Sequence, residues 1–280
     1  MLISCMHKKL TASIVIFKND PAILRQTVHS FLESTSDTTL YLVDNSPASY
    51  SVKAEYQDER IIYIQNAKNI GFGPAHNIAL KHALDAGSEY HLVLNPDIYF
   101  EENVVRDIQT FMDANPDIGL VMPKVLYPDG RLQPLCRLLP SPVTLLSRRF
   151  LTFHQSLLNR INYRYEMHFT GYNKIMDVPF LSGCFMFLRT DALRKVGLFD
   201  ERIFLYTEDI DLSRRIHQYY RTIFYPEVSI FHYHEKASFR KLSNLYHHVN
   251  STIKYFNKWG WFKDENRREI NARIMLRTQK

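Results

Sequence analysis

Glycine is scarce in this chain, with 9 residues in 280, and proline supplies only 12. So few turn formers, without periodic spacing, exclude collagen-like and low-complexity architectures. Cysteine is rarer still: Cys5, Cys136 and Cys184 are an odd set with no Cys-x-x-Cys spacing. They offer neither a disulfide framework nor a zinc site and fit a reducing cytoplasm. Long apolar runs are missing as well. None approaches the ~20 residues that span a bilayer, and the run over 11–17 is cut at Lys18-Asn19-Asp20, too early for a signal peptide. A soluble protein is expected, or one peripheral to the cytoplasmic face of the inner membrane. Finally, only Lys18 stands near that run as a phosphate-binding lysine, and Gly71-Phe72-Gly73 lacks the third glycine of a dinucleotide fingerprint.

What is present is apolar and aromatic material. Hydrophobic residues make up 45% of the chain and aromatics 13%, with 18 Phe and 17 Tyr, so an ordered core is expected. The net charge of +6 favours anionic partners: phosphates, anionic lipid headgroups or nucleic acid.

Apolar runs over 11–17, 40–43, 61–64 and 91–94 read as strands, with helices starting at Asp20-Pro21 and running over 74–85 between them. That alternation predicts a mostly parallel sheet with right-handed crossovers, a nucleotide-binding type of α/β architecture. A helix over 101–114 and a strand over 118–122 follow. Tyr127-Pro128-Asp129-Gly130 predicts a hairpin over 125–133. Periodicity weakens over 134–173, which carries Arg148-Arg149 and reads as an irregular insert, mobile or membrane-facing. A strand over 178–188 is expected to rejoin the sheet, with a helix over 191–196 and a last strand over 223–231 after it. The segment 241–280 reads as helices, with Trp259 and Trp261 between them. The stretch 246–277 mixes aromatics with Lys and Arg, suiting either a membrane surface or packing on the core.

Two acidic clusters stand out, Asn95-Pro96-Asp97 after a strand and Thr207-Glu208-Asp209-Ile210-Asp211 opening a helix. Carboxylates at such edges reach metals or substrate hydroxyls. Each also has a plain structural reading. Asn-Pro-Asp is ordinary turn chemistry, Glu208 and Asp209 suit a helix N-terminus, and Asp211 and Arg215 form an i,i+4 pair.

The stretches SIVIFKND, YLVDNSP, NIGFGPAHN, LNPDI, YPDGRLQ, LSGCFMFLR and GLFDERIFLYTEDIDLSRRI, spread in order over about residues 11–235, resemble the family 2 glycosyltransferases of the A-type fold. The resemblance is to their bacterial rhamnosyltransferase-like branch. It implies a catalytic domain over 1–235 with a C-terminal helical extension over 236–280. The donor it implies is a nucleoside-diphosphate sugar, dTDP-rhamnose, and the acceptor a lipid-linked saccharide of O-antigen or capsule assembly, with no nucleic acid involved. Mg²⁺ or Mn²⁺ is implied at Asp97 and at His232, which is preferred over His234; Asn95 replaces the first carboxylate of the family's Asp-x-Asp. Asp44, Asn69, Gly71 and Gly73 would face the donor nucleotide, and Ser182, Gly183 and Phe185 the acceptor. Arg215 would approach phosphate. Thr207-Glu208-Asp209 resembles the catalytic triplet, making Asp209, with Glu208 beside it, the general base of a single inverting displacement. The competing readings are another nucleotide-dependent transferase, such as a nucleotidyltransferase, and a basic, non-catalytic membrane-associated module.

Overall fold

The computed structural model describes residues 10–150, 154–233 and 242–278; Cys5 and His234 lie outside them. Strand β1 (Leu10–Ile16) is buried along its whole length. Helix α1 (Pro21–Ser34) starts with proline in its first turn, and the Asp20 carboxylate accepts from the Ala22 and Ile23 N–H groups, satisfying two donors that the helix itself cannot. Then come β2 (Thr38–Asp44), β3 (Ile61–Gln65), α2 (Phe72–Asp85) and β4 (Tyr90–Leu94). β1 pairs in parallel with β2 and β4, and β2 with β3. The chain therefore winds outward from β1 on one side and returns on the other, which opens a crevice beyond the carboxyl ends of β1 and β4.

The second half continues with β5 (Ile98–Phe100), α3 (Asn103–Asp113), β6 (Ile118–Leu126), β7 (Cys136–Arg137), α4 (Pro142–Phe150), α5 (Gln155–Tyr165), β8 (Met176–Asp177), β9 (Phe180–Leu181), β10 (Phe185–Arg189), α6 (Thr190–Val196), α7 (Glu208–His217), β11 (Arg221–His232), α8 (Leu242–Trp259) and α9 (Glu265–Thr278). The main sheet runs β3-β2-β1-β4-β10-β6-β11-β5, with β8 beside β11. β10 is antiparallel to both β4 and β6, so the start of β10 meets the end of β4.

Two expectations change and one holds. The strand over 178–188 does rejoin the sheet, but it divides at 182–184: β9 pairs with β7 in a separate ribbon. The hairpin over 125–133 forms as expected, though it is short: Gly130 N–H to Tyr127 O closes its turn, and Tyr127 N–H to Arg131 O and Gln133 N–H to Val125 O flank the Leu126–Leu132 bridge. The insert over 134–173 contains α4 and α5. Its periodicity is faint because α5 buries only Leu158 and Tyr165.

The C-terminal helices pack on the core through Tyr255, Phe256, Ile270 and Ile274. Tyr246, Val249 and Ile253 of α8 stay exposed.

A buried polar chain crosses beneath the sheet: Thr11 Oγ1 to His91 Nδ1 (2.8 Å), His91 Nε2 to Ser13 Oγ (2.8 Å), and Ser13 Oγ to His76 Nδ1 (2.7 Å). Burial holds the His91 imidazole down at about 3 and pushes His76 well below its ordinary value, with His91 adding to the effect. In the unfolded chain a histidine takes a proton near pH 6.5. The His91 contribution is therefore complete above that pH and is lost as pH falls toward 3. His91→Gln is expected to flatten this limb, losing about 1.4 kcal/mol less than wild type per pH unit below about pH 6 in urea unfolding.

Candidate active site

The seam between β4 and β10 brings the two acidic clusters to one edge of the sheet. Asn95 N–H donates to Cys184 O (2.9 Å), and Gly183 N–H donates to Asp209 Oδ2 (3.1 Å). The 182–184 turn thus ties the end of β4 to the start of α7. Asp209 Oδ1 accepts from the Ile210 N–H at 2.9 Å. Just before them, Tyr206 and Thr207 both have left-handed backbones, φ 68° and 65°. Such strain persists only where surrounding contacts enforce it. Here α8 does so: Ser251 Oγ donates to Leu205 O, and Thr207 Oγ1 to Ser251 O.

The adjacent carboxylates have different surroundings. Glu208 is buried, and its Oε2 has no hydrogen-bond partner. Burial and then the charge of Asp209 push its pKa well up, so it is the member of the pair that stays protonated. Burial also raises Asp209, opposed by the Gly183 N–H and by the Arg137 charge. A carboxylate raised above its ordinary range is a stronger base and suits general-base work. Arg137, on β7 opposite Phe180, lies over the Phe180 ring with its Nε buried and unbonded.

On the other side of the turn, Asp97 Oδ1 is buried without a hydrogen bond, and His232 Nε2 lies 3.3 Å from it. The partners of Gln133 fix the imidazole tautomer. The Gln133 amide NH₂ donates to His232 O (2.7 Å) and Leu126 O (3.4 Å), so its Oε1, 3.0 Å from His232 Nδ1, accepts the ring proton there. Nε2 then turns a lone pair toward Asp97, and Asn95 Nδ2 stands 3.4 Å from it. An orphaned carboxylate oxygen beside an oriented imidazole lone pair fits a divalent cation, with Gln133 as the outer partner that metal-binding histidines need. Among the described residues no cluster of three metal-ligating side chains occurs. Two protein ligands would leave most positions to water and phosphate oxygen, as Mg²⁺-type sites do.

At the end of β2, Asp44 is fully buried; it accepts from Ser46 N–H (2.7 Å) and from the Tyr63 hydroxyl. Burial first, then Asp44, pushes that phenol up to about 12. Asn69 Oδ1 accepts from Gly71 N–H, and Asn45 Nδ2 donates to Gly71 O.

The two glycines lie against the chain itself. At Gly71 (φ +99°) a Cβ would lie 2.3 Å from Phe204 O, and at Gly73 one would lie 2.9 Å from Phe199 Cβ. The close approach they permit is that of the chain's own 199–204 loop, which leads into the Glu208-Asp209 cluster.

Arg215 departs from its expected place at phosphate. Its guanidinium is committed to Asp211 Oδ2 (2.8 Å) and to the carbonyls of Val196, Gly197 and Leu198. Asp211 also takes Lys258 and Trp259 Nε1, so both residues pin α7 to its neighbours. Ser182 Oγ accepts from Cys184 N–H. Gln133 and Arg137 escaped the sequence reading: Gln133 closes YPDGRLQ without a chemical signature of its own, and Arg137 lies where periodicity fades.

A family model described as glycosyl transferase family 2 matches residues 13–197. The chain belongs to this family. It is accordingly a glycosyltransferase, and its fold is the A-type fold of the solved glycosyltransferases it superposes on. Over 287 aligned residues it is 25% identical to the N-acetylglucosaminyl-diphospho-decaprenol L-rhamnosyltransferase of Mycobacterium tuberculosis, covering 98% of this chain and 92% of that one. The first 349 residues of TarS from S. aureus superpose with a TM-score of 0.55 at 17% identity. That match covers 79% of this chain, which spans only 59% of that structure. GalNAc-T7, solved with UDP, GalNAc and Mn²⁺, gives 0.57 at 14% identity over 80% of this chain and 43% of its own.

Proposed function

We propose that this family 2 enzyme transfers rhamnose from dTDP-rhamnose, with inversion, to a lipid-linked saccharide in surface-polysaccharide assembly. The observation that carries the reading is Asp209, anchored on the Gly183 N–H at the same sheet edge as the Asp97–His232 pair. The M. tuberculosis relative supports the sugar and the lipid-linked acceptor by what its name says it does.

Asp209 takes the proton of the acceptor hydroxyl as that oxygen bonds to the anomeric carbon. The carbon–oxygen bond to the diphosphate breaks in the same step, and the nucleoside diphosphate leaves with the electron pair. One displacement of this kind inverts the anomeric centre. Glu208, kept neutral, adds no second negative charge beside the departing diphosphate. Asp97 and His232 would hold a divalent cation whose charge neutralises the diphosphate when bound. The buried Asp44 end of β2 receives the nucleoside, at the crevice where open α/β sheets take such ligands.

Among the described residues no helix is long and apolar enough to cross a membrane. In this proposal the lipid-linked acceptor meets the protein surface, at the cytoplasmic face of the membrane.

The reading is tested by transfer from dTDP-rhamnose with and without Mn²⁺. Absence of any nucleotide-sugar binding would contradict it. Gln133→Leu is expected to weaken Mn²⁺ binding 10- to 100-fold by calorimetry, because the His232 ring loses its orienting acceptor.

A further inference from the structure

The insert that seemed irregular in sequence builds one wall of a second groove. About 480 Å³ in volume, it lies between α5, α9 and residues 138–144, within the size range of ligand clefts. Leu157, Arg160, Ile161 and Arg164 all line it and follow i, i+3, i+4, i+7 spacing, one face of α5. The floor is rigid: Asn271 of α9 accepts from Leu139 N–H and donates to Leu139 O, both at 2.9 Å.

Arg160 and Arg164 are exposed and stand four residues apart on that face. Like charges so placed repel, and none of the ion pairs among the described residues includes either one; the nearby Glu166 carboxylate is taken by Arg148 and His168. The wall beside them is apolar, with Leu157 48% exposed, and on α4 the apolar surface continues through Val143 (67%) and Leu146 (51%). Exposed hydrocarbon beside two unpaired guanidinium groups fits an amphiphile with a strongly anionic head.

A short run of chain leads from the wall of the groove to the active site. Leu138, on its wall, directly follows Arg137, and Arg137 pairs across the β7–β9 ribbon with Phe180, two residues before Ser182.

We propose that this groove holds the diphosphate and the first hydrocarbon units of the lipid-linked acceptor, with Arg160 and Arg164 on the diphosphate and Leu157 and Ile161 against the tail. The inference rests on the lipid-linked acceptor reading above. It gives the insert a recognition role and explains why Arg160 and Arg164 stand outside the ion pairs among the described residues, while Arg148 pairs with Glu166.

The test is calorimetric binding of farnesyl diphosphate to the full chain, with inorganic diphosphate, farnesol and dTDP as separate arms. Farnesyl diphosphate is expected to bind at least about tenfold more tightly than either fragment. The double variant Arg160→Gln/Arg164→Gln should lose about tenfold or more of that affinity, as expected for lost charge-assisted contacts. Its dTDP binding should be unchanged, which shows the fold and donor site to be intact. Leu157→Gln should weaken farnesyl diphosphate and leave inorganic diphosphate as it was. Equal affinity in the arginine variant, or displacement of farnesyl diphosphate by dTDP, would overturn the assignment. Wild-type protein that bound farnesyl diphosphate but no nucleotide would contradict the donor reading and leave the groove assignment standing.

Discussion

Asp209→Asn is expected to lower kcat for sugar transfer by roughly 10²- to 10⁴-fold, the range that a positioned general base contributes. The substitution is nearly isosteric, and the amide oxygen still accepts from the Gly183 N–H, so folding and donor binding should be preserved. Proton acceptance alone is removed. Glu208→Gln provides the contrast. Because burial already holds Glu208 neutral, replacing its carboxyl by an amide should cost less than about tenfold. The pH dependence follows from the same geometry. Asp209 works only as the carboxylate, and its pKa is raised, so wild-type kcat/KM should fall as pH drops through that raised value. The acid limb should vanish from the residual activity of Asp209→Asn. If both single variants lost activity equally, the division of labour between the two carboxylates would be wrong.

Asp264→Ala is expected to destabilise the protein by about 3–5 kcal/mol, the cost of leaving a buried charge unpaired. Arg214 on α7 is 1% exposed and Asp264 3%, and they form two hydrogen bonds of 2.8 and 2.6 Å. The guanidinium also lies 4.0 Å from the centroid of the Trp259 ring and donates to the Tyr255 hydroxyl. Loss of Asp264 strands that cation inside the core. The same helix carries Glu208 and Asp209 at its first turn, so the C-terminal helices support the base from behind. Urea unfolding at neutral pH measures the loss, and a change under about 1 kcal/mol would mean that water reaches Arg214.

The parts of the architecture legible in sequence were the local ones. Apolar runs marked β1, β2, β3 and β4, the Asp20-Pro21 pair marked the start of α1, and both acidic clusters fell at element ends because turn and cap chemistry is written in adjacent residues. What sequence hid is non-local. Nothing in 178–188 declares that β10 runs antiparallel to β4, yet that direction sets the 182–184 turn between Asp97 and Asp209. The His232 tautomer depends on Gln133, 99 residues earlier. Gly71 and Gly73 were readable as sites of close approach, but not as sites where residues 199–204 make that approach. The acidic-basic pattern of α7 left Arg215 open to two roles, and packing decided between them through three carbonyls of the 196–198 segment.

The central claim is that this chain uses Asp209 to pass a sugar from a nucleoside diphosphate to a lipid-linked acceptor. It is tested most directly by incubating wild type and Asp209→Asn with dTDP-rhamnose, Mn²⁺ and an N-acetylglucosaminyl-diphospho-lipid, then measuring rhamnosylated lipid and its anomeric configuration. Inverted product from wild type, with at least a hundredfold less from the variant, is the predicted result. Retained configuration, or undiminished transfer by Asp209→Asn, would contradict it.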